Sequence, residues 1–329
     1  RAFSDAAPVV VEINNSSNIK LEKLVISGIP KTTPNTETTK LLDIYGVNNN
    51  IFIKNVHFVS GARSLISSAS TNDSISNLEI LNSFFESYSF DAINLYRANN
   101  VLIKNNKIRQ YANNNVTKAI YLSSVSGILD ISSNDIYLNG GTSSRTGIEI
   151  KRFYGTNFSP GLLSNNAISM QGTRSTGTIL YYGITLDSVI NINTYYNTVF
   201  LFPSLNSLNS RVLNIGANCS SLKVLNNNLI NNARGYAYYV INPGNQVALS
   251  NNNNYYSNGT NPIFWAGNKI DITALQAANS QDANSIIANT PFISDSLLEL
   301  NYPSNIVRSA EPLDDVYDDI IGRFRPVSP

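Results

Sequence analysis

The feature that most restricts how this chain can fold is a repeat. A short alternating apolar segment is followed by two polar residues, often Asn-Asn, then one variable residue and an apolar one. Clear copies are Asn18-Ile-Lys-Leu-Glu-Lys-Leu-Val-Ile26, Asn50-Ile-Phe-Ile-Lys-Asn-Val-His-Phe58, Asn77-Leu-Glu-Ile-Leu-Asn-Ser-Phe-Phe85 and Asn100-Val-Leu-Ile-Lys-Asn-Asn-Lys-Ile108. Weaker copies follow at 129–136, 163–168, 194–199, 225–230 and 249–254. Marking the first polar residue gives Lys23, Asn55, Asn82, Asn105, Ser133, Asn165, Tyr196, Asn227 and Asn251, at intervals of 32, 27, 23, 28, 32, 31, 31 and 24.

Leucine-rich repeats need a fixed leucine framework, and propeller blades need longer units. A parallel β-helix instead tolerates coils of variable length, because loops lie outside the stack while strands pair coil to coil. We therefore expect an all-β, right-handed parallel β-helix of about nine coils over 1–259, with a closing segment over 260–329. The asparagines then mark a sharp corner, since Asn tolerates left-handed backbone. Stacked amides can also hydrogen-bond along the axis.

Composition agrees with a folded β-rich chain. Charged residues are only 14% of the 329, and hydrophobic ones are 42%. Disordered chains have the opposite balance. A net charge of +1 and the lack of a basic run interleaved with aromatics argue against a nucleic-acid partner. No apolar run approaches the ~20 residues that span a bilayer, so no membrane insertion is expected. Cys219, the single cysteine, reads as a small buried coil residue rather than a reactive thiol. His57 reads as an outward surface residue with no carboxylate partner at motif spacing. The amino end shows neither a leader nor a capping helix, so a removed signal, upstream coils or further domains of a larger polypeptide are expected.

A second strand series precedes each marker: Leu41–Tyr45, Ala92–Tyr96, Ala119–Ser123, Gly147–Lys151, Gly183–Asp187 and Val212–Gly216. Alternation with period two turns Ile93, Ile120, Ile148, Ile184 and Leu213 inward. It leaves two outward rows, one of Asp43, Asn94, Tyr121, Glu149, Thr185 and Asn214, the other of Tyr45, Tyr96, Ser123, Lys151 and Asp187. Arg97 and Arg152 follow the strand ends. Coils stack about 4.8 Å apart, so Glu149, Lys151, Arg152 and Asp187 should meet, with Tyr96, Arg97 and Tyr121 beside them as binding residues.

These coils, the run Asn253-Asn-Tyr-Tyr256 to Phe264-Trp265, the short helical stretch Ile272-Thr-Ala-Leu-Gln276 and the acidic tail from Asp314 to Pro326 resemble the pectate-lyase-like β-helix superfamily. Within it they resemble the secreted or cell-surface proteins of Bacteroidetes-type bacteria. The resemblance implies a polysaccharide or cell-surface glycan as partner. A non-catalytic adhesion or glycan-binding module is the first expectation, with no cofactor. The alternative is a polysaccharide lyase or other carbohydrate-active enzyme on an acidic glycan, with Lys151 or Arg152 as base and Glu149 and Asp187 as metal or substrate ligands, Ca²⁺ being the metal that the resemblance implies for a lyase. Trp265 is expected to plug the core at the carboxyl end.

Overall fold

The computed structural model describes residues 9–28, 39–67, 70–111, 117–140, 143–172, 179–294, 298–301 and 310–325. They form a parallel β-helix of about eight turns. Each coil contributes one strand to each of three ladders, here sheets A, B and C. Sheet A runs from Val9–Asn14 to Ile263–Trp265 and holds the second strand series. Sheet B runs from Ser17–Glu22 to Val247–Asn251, and the nine-stranded sheet C runs from Val25–Ser27 to Asn254–Ser257. The strand Thr117–Ser132 passes from A into B. Pairing between coils is parallel throughout.

The interior is a set of in-register aliphatic columns. Ile93, Ile120, Ile148, Ile184 and Leu213 succeed one another along sheet A, all without solvent exposure. Each fills the space above its neighbour, so every coil supplies the apolar surface the next one needs, as in other solenoids.

Between sheets B and C the chain turns through one left-handed residue per coil: Lys23, Asn55, Asn82, Asn105, Ser133, Asn165, Tyr196, Asn226 and Asn252. The last two correct the sequence reading, which put the corner at Asn227 and Asn251. Runs of three and four asparagines offered several registers there, and side-chain burial selects one. Turning and axial bonding, expected of the same residue, belong to successive ones. From the second corner on, the residue after the corner is buried, and Asn106, Asn134, Asn166, Asn197, Asn227 and Asn253 form a buried amide ladder with Nδ2 to Oδ1 distances of 2.9–3.0 Å. Ser83 precedes this ladder and Ser285 ends it. A second ladder, exposed, joins Asn18, Asn50, Asn77 and Asn100 at the start of sheet B.

The carboxyl end of the stack is closed as expected. Trp265 is buried against Tyr238, which stacks on Tyr255 at 4.8 Å. The helix Ile272–Asn279, capped by Asp271, buries Leu275 over the last coil. The acidic tail then runs back along the outer B–C corner. Glu311 bonds Asn226, Val316 packs on Tyr195, Tyr196 and Leu225, and the Asp318 carbonyl accepts from Asn165. Arg325 lies 3.8 Å over the Tyr196 ring.

His57 differs from expectation. Its Nε2 lies 3.1 Å from Glu86 Oε2, and its ring stacks on Phe84 at 4.7 Å. Both partners come from the next coil, 27 and 29 residues on, a distance that no local motif spans. Cys219 is buried as expected, and burial raises its pKa above the ordinary thiol value. Its thiol should therefore react with a disulfide reagent only after denaturation; stoichiometric labelling of the native chain would contradict this placement.

Candidate functional site on sheet A

The outer face of sheet A carries the two expected rows in the expected register. Asn94 pairs with Tyr121, Tyr121 with Glu149, Glu149 with Thr185 and Thr185 with Asn214. Tyr96 pairs with Ser123, Ser123 with Lys151 and Lys151 with Asp187. One coil was missed. Arg63–Ser67 inserts Ile66 between Asp43 and Asn94, because that coil lacks the recurring apolar-polar signature of its neighbours.

A third outward column lies upstream: Asp91, Lys118, Thr146, Tyr182, Arg211 and Tyr236. Strict alternation hid it. In each strand two successive residues turn inward, as in Ala119-Ile120, Gly147-Ile148 and Gly183-Ile184, and this bend returns the preceding residue to the outer face. Small residues fill the bend at Ala92, Ala119, Gly147, Gly183 and Ala237, and Val212 fills it after Arg211. A Cβ on Gly183 would lie 2.4 Å from Val199 Cγ1 and 2.6 Å from the Val212 carbonyl oxygen. A polar or aromatic residue directly before Ala or Gly is the signal that could have revealed the column.

The three columns enclose a cleft of about 390 Å³ around Glu149, Lys151, Tyr182, Thr185, Asp187 and Asn214. Glu149, only 7% exposed, is its electrostatic centre. Its Oε1 accepts from Lys151 Nζ at 2.9 Å and its Oε2 from Lys118 Nζ at 2.8 Å. The hydrogen bond that Lys151 donates to Glu149 raises the Lys151 pKa above that of an ordinary lysine, against an opposing effect of burial. Lys118 also lies 3.9 Å over the Tyr121 ring. Asp187 faces Lys151 in register, yet Lys151 makes its ion pair with Glu149, and the Asp187 contact within reach is the Ser188 hydroxyl at 3.4 Å.

The remaining predicted residues stand outside the cleft. Tyr121 borders it through Lys118, and Tyr96 meets Tyr121 edge-on at 5.5 Å. Burial raises the Tyr96 pKa. Arg97, just past Asp91–Tyr96, and Arg152, within Arg145–Tyr154, both have left-handed backbone. Arg97 donates to the Ser70 carbonyl, and Arg152 to the hydroxyls of Ser123 and Ser124 at 2.7 and 3.1 Å. Both side chains turn back toward the preceding coil.

The donor set does not fit the Ca²⁺ that a lyase reading implies. Calcium takes six to eight oxygens, whereas both Glu149 oxygens already hold ammonium groups, and no cluster of three His, Cys, Asp or Glu side chains converges among the described residues. Nor is any helix among them long and apolar enough to cross a membrane. No family model, no curated protein and no solved structure matches this chain. The chemistry of the cleft itself therefore carries the functional reading.

Proposed function

We propose that the chain is a secreted or cell-surface β-helix module of a larger bacterial protein, akin to the pectate-lyase-like superfamily, that binds a glycan in the sheet A cleft without cleaving it. One observation supports binding over cleavage. Lys151, the base of a lyase reading, is tied to Glu149 and its pKa is raised, whereas abstraction of a proton beside a uronate needs a base that is neutral near working pH. Arg152, the other candidate base, points away toward Ser123 and Ser124. What the cleft does offer is a tyrosine ring, an amide, hydroxyls and a carboxylate, a mixture typical of sites that orient a sugar.

The test pairs two assays on the whole chain. Glycans presented on a surface should be retained by the protein. Ultraviolet absorbance with pectate, alginate and glycosaminoglycans at mildly alkaline pH, with and without Ca²⁺, should stay flat. An unsaturated product that disappears in Lys151→Ala would make the protein a lyase and overturn this proposal.

A further inference from the structure

The charges around the cleft narrow the ligand class. Two lysines and two carboxylates border it, and three of the four groups are already committed to one another: Lys118 and Lys151 both bind Glu149. An acidic sugar at either lysine would compete with Glu149, whose side chain is only 9% exposed and already holds both ammonium groups. Arg211, the next cation, is held by rings and an amide rather than by a carboxylate. Its guanidinium lies 3.5 Å over Tyr239 and 5.5 Å from Tyr182 and donates to Asn214 Oδ1 at 2.8 Å, while its Nε is buried without a hydrogen-bond partner among the described residues.

Of the two cleft carboxylates, Asp187 is the one without an ion pair among the described residues, and opposite it stands Gly216, where even a Cβ would come within 3.1 Å of Oδ1. The missing side chain leaves that oxygen open on the Gly216 side, with only the long 3.4 Å bond from the Ser188 hydroxyl on it. At the cleft floor the Thr185 hydroxyl, on a side chain more than nine-tenths buried, has no hydrogen-bond partner among the described residues, and buried polar groups are seldom left so. The site therefore lacks hydroxyl partners, and a carboxylate accepts a hydroxyl in a strong charge-assisted bond.

From this we infer that the ligand is an uncharged glycan, held by sugar hydroxyls on Asp187 and the Thr185 floor, with Tyr182 as a flanking ring. The inference rests on the glycan-binding reading above and reverses the acidic-glycan preference that accompanies a lyase. Uronates and sulfated sugars are repelled by Asp187, and both cleft lysines are already held by Glu149.

The experiment measures binding of the full chain to mannan, arabinan and mixed-linkage glucan, to polygalacturonate, alginate and chondroitin sulfate, and to chitosan, each at low and high salt. At least one neutral polymer should bind best, with an affinity that salt leaves unchanged. Asp187→Ala should weaken that binding by roughly tenfold, and Asp187→Lys should confer binding to polygalacturonate. Thermal unfolding of both variants checks that the helix is intact. Preference for an acidic polymer or for chitosan, or neutral binding indifferent to Asp187→Ala, would overturn the inference while leaving glycan binding standing. Failure of every polymer to bind the wild-type chain would overturn both.

Discussion

Asn166→Ala should destabilise the protein by about 3–5 kcal/mol, one of the largest losses available outside the apolar core. The Asn166 amide donates to the Ile131 carbonyl and to Asn197 Oδ1, both at 2.9 Å, and accepts from the backbone N–H and the side chain of Asn134 at 3.1 and 2.9 Å. Alanine removes four buried hydrogen bonds: Asn197 Oδ1 keeps the residue 166 N–H and Asn134 Nδ2 keeps the Ile103 carbonyl, but the Asn134 N–H and the Ile131 carbonyl lose the amide with no water to replace it. Asn166→Asp should be at least as damaging. Its shape is right, but a carboxylate cannot donate to the two oxygens that receive the amide. Equilibrium denaturation of the variants against wild type measures the cost; a loss under 1 kcal/mol would mean that the ladder is ornamental. Because a solenoid need not unfold in one step, hydrogen exchange at Asn134 and Asn197 should show the loss concentrated in the adjacent coils.

The second large effect concerns the cleft. Glu149→Ala deletes the acceptor shared by Lys118 and Lys151 and leaves two ammonium groups facing each other. Their side chains are 29% and 37% exposed, so both can rehydrate, and the expected stability loss is about 1–3 kcal/mol rather than that of a fully buried pair. The binding phenotype should be larger: retention of the preferred glycan should fall below detection as the lysines part and the cleft loses its floor charge. The Lys151 pKa should also fall back toward the lysine value of 10.5, visible by NMR of the labelled lysine. The sign follows from the raised pKa in the folded state. The pair contributes fully at neutral pH, below the unfolded value, and its contribution is lost as pH climbs through the raised one. Unchanged binding in a folded Glu149→Ala protein would remove this cleft as the site.

Much of the fold was legible because a solenoid repeats its demands. Every coil must present aliphatic residues to the coil beside it, so Ile93, Ile120, Ile148, Ile184 and Leu213 could be aligned by inspection. The outward rows through Glu149 and Asp187 followed from the same alternation. What failed were the places where alternation or spacing is degenerate: the asparagine runs at 226–228 and 251–254, the coil carrying Ile66, and the bend that exposes Lys118 and Tyr182. In the first, several neighbours satisfy the same local preference. In the last, a small residue permits a double inward turn that period two does not contain.

The partner of His57 was also out of reach, since Glu86 is a neighbour only once coil lengths bring Val59 and Glu86 into register. The same holds for Lys151. Its sequence places it opposite Asp187, but which carboxylate it binds depends on side-chain reach across a curved face and on Lys118 arriving from the other side. The amino-acid sequence by itself determined the architecture, the inward columns and the strip of coils on which the cleft lies, because hydrophobic periodicity and coil stacking depend on residue type and spacing alone. Only the tertiary structure decided which charges pair with one another, because ion pairing depends on separations of a few ångströms between side chains from different coils.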